Sequence, residues 1–181
     1  MKFNKSTLLL GAIGLAFAGS ALATSGTISI IGKITDTTCN ISVNGQSNIA
    51  TITLPTVPAS ALLQAGNTAG TTPFSIALSD CSGTTFTTAH TFFEAGSMVD
   101  MTTGRLNNAD SSGGAHNVQV ELLNSTLSPI KAGATDALQG DIEVNNTAGT
   151  TTLNYFARYY ATAAAEAGSV NTQVDYTIIY L

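Results

Sequence analysis

Residues 153–159 read Leu-Asn-Tyr-Phe-Ala-Arg-Tyr, and residues 174–180 read Val-Asp-Tyr-Thr-Ile-Ile-Tyr. In both stretches apolar or aromatic side chains occupy every second position. Successive side chains of a β-strand point to opposite faces of the sheet, so a period of two predicts strands with one buried face. The expected inward sets are Leu153, Tyr155, Ala157 and Tyr159 in the first stretch, and Val174, Tyr176, Ile178 and Tyr180 in the second.

The same alternation recurs along the chain and predicts a fold made of strands. Turn-forming pairs such as Asn44-Gly45 and Asn107-Asn108 separate the alternating segments. Residues 59–64 are the only plausible helical fragment. Many short strands with turn signals between them predict one all-β domain, an antiparallel sandwich or barrel. The further candidate strands are Ile28 with Ile30, Gly32 and Ile34; residues 49–54, ended by Pro55; Phe74 with Ile76 and Leu78; residues 91–98; Val118 with Val120 and Leu122; and Ile142 with Val144.

The composition excludes several classes of protein. Charged residues make up 9% of the chain, against roughly 25% in an average globular protein. Six Lys and Arg residues against eleven Asp and Glu residues give a net charge of −5, so there is no basic footprint for nucleic acid. The high apolar content, 44%, argues against a disordered chain.

The first 23 residues have the pattern of a secretory signal peptide. Lys2 and Lys5 form a basic start, residues 8–17 are apolar, and Ala21-Leu22-Ala23 is a small-x-small cleavage pattern. The alternative is an N-terminal membrane anchor, but the apolar run is shorter than the roughly 20 residues that span a bilayer. We therefore expect an exported chain that begins at Thr24.

The chain holds two cysteines, Cys39 and Cys81. An even cysteine count in an exported protein predicts one disulfide bond between them. A redox or metal-binding pair is the alternative, but there is no Cys-x-x-Cys motif and no neighbouring histidine.

No arrangement of residues indicates catalysis, a metal ion or a cofactor. His90 and His116 lack a recognisable Ser or Asp partner, and we expect both to lie on the surface. Asp80, Asp110 and Asp136 do not have the spacing of a calcium loop. We therefore predict a protein that is not an enzyme.

Four motifs, in this order, resemble the pilin subunits of chaperone–usher (type 1-like) fimbriae, and the major subunits in particular. They are Ile28-x-Ile30-x-Gly32-x-Ile34 before the first cysteine; Phe74-x-Ile76-x-Leu78-x-x-Cys81; Ala115-x-Asn117-Val118-x-Val120-x-Leu122; and the two closing strands that end at Tyr180. Each motif is weak alone, but together they cover nearly the whole exported chain.

The resemblance implies an incomplete immunoglobulin-like antiparallel sandwich, completed by a donor strand from a neighbouring subunit. It divides the chain into a signal peptide, residues 1–23, an N-terminal donor-strand extension, residues 24–36, and a pilin domain, residues 37–181. Ile28, Ile30, Gly32 and Ile34 would form the donor strand. Gly32 would allow close approach to the groove, although a bulge or turn glycine fits the sequence equally well. Val174, Tyr176, Ile178 and Tyr180 would flank the groove and meet the chaperone.

The implied function is that of a structural shaft subunit of an adhesive fimbria. Its expected partners are identical or related pilin subunits, a periplasmic chaperone and an outer-membrane usher, and its expected location is a fimbria at the cell surface, reached through the periplasm. Two alternatives stay open at this point. One is a minor adaptor or terminator pilin, and the other is a secreted sandwich that binds its ligand as a monomer.

Overall fold

The structure is a computed structural model that describes residues 28–82, 86–109, 112–146 and 149–181. The chain divides between Lys33 and Ile34 into two units. In the first unit, the described residues 28–33 form neither helix nor strand. The predicted signal peptide, residues 1–23, and the first residues of the predicted extension lie outside the described residues.

The second unit carries the regular elements that the structure describes. Asn44 and Gly45 both adopt positive φ angles at the turn that ends the first strand, as expected for an Asn-Gly turn. In chain order the strands and helices are β1 Thr38–Val43, a 3₁₀ helix Ala59–Leu62, β2 Thr68–Ser82, β3 Thr88–Phe93, β4 Leu106–Asn107, β5 Val118–Leu123, α1 Asp136–Gln139, β6 Val144–Asn145, β7 Thr151–Ala161 and β8 Tyr176–Tyr180.

The strands form two antiparallel sheets. The large sheet has the order β1-β2-β7-β5-β4, and the small sheet has the order β6-β3-β8. Strands β2 and β7 pair from Thr68 opposite Tyr160 to Leu78 opposite Thr151 and form the longest strand pair of the large sheet. The predicted all-β antiparallel architecture is confirmed.

The hydrophobic core lies between the inward faces of the two sheets. The alternation read from the sequence selects these faces correctly, since Ile76, Leu78 and Leu153 are almost fully buried. Tyr155 lies at the centre, with its ring 5.4 Å from Phe74 and 5.4 Å from Phe93. Residues from both sheets therefore form one core cluster.

The free edge of β3 is covered by side chains instead of by a strand. Strand β6 pairs only with Thr88 and Ala89. Farther along, the Thr91 N–H donates to Asp141 Oδ2 at 2.8 Å. The Phe93 N–H donates to Gln139 Oε1, and Gln139 Nε2 donates to the Phe93 carbonyl, both at 2.8 Å. The segment around α1 therefore satisfies backbone groups that an edge strand would expose.

Several sequence predictions need correction. Residues 49–54 are extended but do not form a strand, and β8 begins at Tyr176, so that Val174 precedes it. Alternation shows which side chains face inward, whereas a strand also requires a hydrogen-bonded neighbour. Strands β1 and β4 and helix α1 were not predicted, and the helical fragment shrinks to Ala59–Leu62.

Candidate functional site

A groove with a cavity volume of about 880 Å³ opens along one side of the sandwich. Two extended segments border it: residues 48–54, called the first rim, and residues 170–176, called the second rim. Its floor belongs to the core and is apolar. The floor side chains are Ile41, Val43, Phe74, Ile76, Phe93, Leu106, Val120, Leu122, Ala157 and Tyr159.

The first rim has the side-chain pattern of a strand but no partner strand. Ala50, Ile52 and Leu54 are half-buried, and the residues between them are exposed. The described part of the chain offers no hydrogen bond to the backbone of residues 50–54. Buried backbone N–H and C=O groups are nearly always hydrogen-bonded in folded proteins. This half-buried segment can therefore still accept a neighbouring strand.

The second rim leads into β8, which pairs with β3 on one side. The N–H groups of Leu181 and Thr88 each donate to the other residue's carbonyl, which defines a hydrogen-bonded pair. Such pairs recur at every second residue of an antiparallel ladder. Residues 175, 177, 179 and 181 therefore direct their backbone groups to β3, and residues 174, 176, 178 and 180 direct theirs to the open edge.

Tyr176 crosses the groove. Its hydroxyl donates to the Asn48 carbonyl at 2.9 Å, which joins the second rim to the first. The ring is half-buried, and burial raises the pKa of Tyr176. On the same rim, the hydroxyl of Thr172 is buried without a hydrogen-bond partner. The floor of the groove is thus crossed by one aromatic ring at the start of β8.

The predicted groove-strand residues all face inward. Val174 and Tyr176 line the groove. Ile178 is buried in the core, and Tyr180 packs edge-on against Phe86 with 4.9 Å between the ring centroids.

The predicted donor-strand residues are not paired in the structure. Ile28, Ile30 and Ile34 are 89%, 91% and 99% exposed. Gly32 lies between them in extended chain without secondary structure. Three large apolar side chains of one parity are therefore left without a core of their own.

Cys39 of β1 and Cys81 of β2 form the predicted disulfide, with their Cα atoms 4.0 Å apart. The bond closes a loop with a sequence separation of 42 residues. It joins the start of the edge strand β1 to the end of β2 and so fastens β1 to the rest of the large sheet.

The expectation that His90 lies on the surface is wrong. His90 is 5% exposed, and its Nε2 lies 2.8 Å from Asp136 Oδ1. Helix α1, which the sequence did not reveal, places Asp136 over the imidazole. His116 is exposed, as expected.

One cluster of charged side chains holds strands of the sandwich together. Glu121 is 4% exposed and binds Arg158 at 2.6 Å, with Arg105 at 3.6 Å. Because β5 and β7 pair Glu121 with Arg158 directly, this cluster fastens the two strands on the outer face of the large sheet. Within the described residues, no group of His, Cys, Asp and Glu side chains is arranged to hold a metal ion.

Sequence reasoning missed the first rim as part of the site. The signal was present, since residues 49–54 alternate and stop at Pro55, but it was interpreted as a paired strand.

None of the helices in the described ranges is both long and apolar enough to cross a membrane.

An antiparallel sandwich with an apolar groove between two rims, of which the first has no partner strand in the described chain, defines a class of subunit whose sheet lacks one strand. The family model FimA, type-1 fimbrial protein, A, matches residues 54–181. The major fimbrial subunit SMF-1 of Stenotrophomonas maltophilia is 47% identical over 165 residues, which cover 89% of this chain and 95% of that protein. The F17 fimbrial protein of Escherichia coli is 41% identical, with coverage of 98% and 99%.

Solved structures agree with this assignment. A type I fimbria protein of Burkholderia pseudomallei superposes with a TM-score of 0.55 at 26% identity, over 81% of this chain and 99% of that chain. A subunit of a chaperone–usher pilus gives a TM-score of 0.60 at 19% identity, over 87% and 96%, which supports the fold alone. The immunoglobulin-like fold class is confirmed.

The chain belongs to the type-1 fimbrial protein family. It is a structural subunit of a fimbria, a fibre at the cell surface, and it is not an enzyme.

Proposed function

We propose that the chain is a shaft subunit that polymerises by exchanging strands between copies. The groove accepts residues 24–36 of the next copy, and each copy donates its own extension in turn. The observation that carries this proposal is the apolar groove, whose first rim has no hydrogen bond to the backbone of residues 50–54 within the described chain. Main-chain hydrogen bonds then give affinity, and alternate side chains entering the groove give specificity.

Insertion would bury apolar side chains that the extension exposes. Burying the side chains of Ile28, Ile30 and Ile34 contributes about 5–9 kcal/mol, at roughly 1.5–3 kcal/mol each. Ladder hydrogen bonds add about 0.5–1.5 kcal/mol each. Ordering the extension, at about 1–2 kcal/mol per residue, opposes this gain.

The proposal is tested with a subunit that lacks residues 24–34 and with a synthetic peptide of residues 27–35. The shortened subunit keeps its groove but has no strand to donate. We expect it to stay monomeric and to melt at a much higher temperature when the peptide is added. A peptide that raises neither the melting temperature nor the denaturant midpoint would make strand exchange the wrong mechanism, and a monomeric secreted binder the better interpretation.

Delivery to the fibre requires that the groove be covered before assembly. A periplasmic chaperone would cover it, and an outer-membrane usher would receive the complex, after removal of residues 1–23 on export. Tyr180 directs its backbone groups to the open edge of β8 and Leu181 follows it, and we place the chaperone contact at these two residues. Deleting both should abolish co-purification with the chaperone while the chain is still exported; retained co-purification would refute that contact.

A further inference from the structure

The outer face beside the groove carries two carboxylates without a cation. Inward residues of β8 have even numbers, so Asp175 and Thr177 point away from the core. Asp175 is exposed, and its carbonyl accepts from the Glu94 N–H at 2.9 Å. The Glu94 carboxylate accepts a hydrogen bond from the Thr177 hydroxyl at 2.7 Å. Neither carboxylate forms an ion pair with any cation in the described ranges.

The N-terminal extension carries one positive charge on the matching face. Ile28, Ile30, Gly32 and Ile34 share the parity that would enter the groove, so Lys33 would point outward with Ser29 and Ile31. The two arginines of the described chain are already bound to Glu121. Lys33 is exposed and is free to meet a carboxylate of another copy.

Charge and steric fit select the same alignment. If the inserted strand runs antiparallel to β8 with Lys33 opposite Asp175, then Gly32 lies opposite Tyr176, whose ring crosses the groove. The residue without a side chain thus falls where the floor is already occupied. In this alignment the three isoleucines of the extension, Ile28, Ile30 and Ile34, lie opposite Tyr180, Ile178 and Val174.

Neighbouring alignments lose both features. A shift of two residues in either direction moves Lys33 beside Gln173 or Thr177 and places Ile30 or Ile34 over the Tyr176 ring. A parallel strand that keeps Gly32 at Tyr176 would put Ile31, not Lys33, beside Asp175.

We propose that Lys33 of one copy lies beside Asp175 and Glu94 of the accepting copy, and that this ion contact helps to hold the inserted strand in this alignment. The inference rests on the proposed strand exchange. It adds a charged contact outside the apolar groove and the residues that form it.

Cysteine pairs test the register without removing either charge. Outward residues of the inserted strand and β8 form non-hydrogen-bonded pairs, whose close Cβ atoms suit a disulfide. The proposal places Ile31 opposite Thr177. A chain with Ile31→Cys and Thr177→Cys should therefore give oligomers that survive boiling in SDS and collapse on reduction. Matched chains with Ile31→Cys and either Asp175→Cys or Ile179→Cys should give far fewer.

Charge reversal tests the contact itself. Lys33→Glu should slow assembly about two- to fivefold at low salt, the range of an exposed ion pair, and the difference should shrink at high salt. Asp175→Lys should have a similar effect, and the two changes together should restore most of the rate. Lys131→Glu, an exposed change of the same charge elsewhere, is the control and should leave the rate unchanged.

The outcomes separate this inference from the function on which it rests. More efficient cross-linking through Asp175→Cys or Ile179→Cys, in oligomers that form normally, overturns the register while strand exchange stands. Equal slowing by Lys33→Glu and Lys131→Glu overturns the ion contact. Failure of the unaltered chain to form SDS-resistant oligomers overturns the proposed function itself.

Discussion

Asp141 joins the two sheets through one carboxylate oxygen. Its Oδ2 accepts from the Thr91 N–H of β3 and from the Tyr155 hydroxyl of β7, each at 2.8 Å. Burial raises the pKa of this carboxyl, against the opposing effect of these hydrogen bonds and of the Ile142 N–H. The same burial, with the neighbouring carboxylate, raises the pKa of the Tyr155 hydroxyl.

The raised pKa of Asp141 predicts how stability depends on pH. A carboxyl with a higher pKa in the folded state holds its proton more tightly there. Its contribution is therefore fully present below the unfolded pKa of about 3.9 and declines as the pH rises through the folded pKa. Asp141→Asn cannot ionise, so its stability relative to the unaltered protein should improve from about pH 4 to pH 7.

Urea unfolding of both proteins across this range measures the effect. Glu143→Gln, which removes an exposed carboxylate from the same segment, controls for the change in net charge. A difference that moves in favour of Asp141 as the pH rises would mean that its three hydrogen bonds outweigh the cost of burial.

The role of a single residue was predictable from the sequence where only one interaction partner was available to its side chain. Cys39 and Cys81 had one partner available, and the structure joins them. His90 and Glu121 were not predictable, because their burial depends on groups far away in sequence: Asp136 for the histidine, and Arg105 and Arg158 for the glutamate.

At the scale of elements, the two edges of the small sheet differ in whether their backbone groups are covered. The edge of β3 is covered by Gln139 and Asp141, whereas the edge of β8 stays open beside the groove. Covering one edge limits strand addition to the other, which is consistent with the proposed acceptance of a single strand.

Gln139 should therefore matter for stability far more than its exposed neighbour. Gln139→Ala leaves the N–H of Phe93 unpaired in buried surroundings, whereas the Phe93 carbonyl keeps its hydrogen bond from the Gly133 N–H, so we expect a loss of about 1–3 kcal/mol. Leu138→Ala, at a position that is 70% exposed in the same short helix, should change stability by less than about 0.5 kcal/mol. Denaturant unfolding compares the two, and similar losses would show that Gln139 does not act through the β3 edge.

Elements were predictable where alternation coincides with pairing. Strands β2, β5, β7 and most of β8 follow the apolar period of two, because one face packs on the core. Residues 49–54 have the same period but lack a partner strand. The pattern therefore identified which side chains face inward, but not that the segment is unpaired. Helix α1 has four residues, too few for a helical period to be recognised.

At the scale of the whole molecule, the proposed donor, residues 24–36, and the proposed acceptor, the groove, are different surfaces of one chain. A contact between two different surfaces is heterologous, and it generates an open fibre when the rotation between copies does not close a ring. Each subunit must then carry both an intact extension and an intact groove. A defect in the extension alone should leave a subunit that ends a fibre without being misfolded.

Ile30→Asp and Ile31→Asp test this division with the same charge at adjacent positions. Ile30 has the parity that enters the groove, where an unpaired charge costs several kcal/mol, whereas Ile31 would face solvent. We expect Ile30→Asp to abolish the SDS-resistant ladder of oligomers, and Ile31→Asp to leave a ladder. Because neither residue belongs to a strand or to the core, both variants should unfold at the same denaturant concentration as monomers. The Ile30→Asp subunit keeps its groove, so adding it to the unaltered protein should shorten the oligomers in proportion to the amount added. Equal loss of the ladder in both variants would mean that the extension is not inserted with the parity of Ile30, and an unchanged ladder in both would mean that it is not the donated strand.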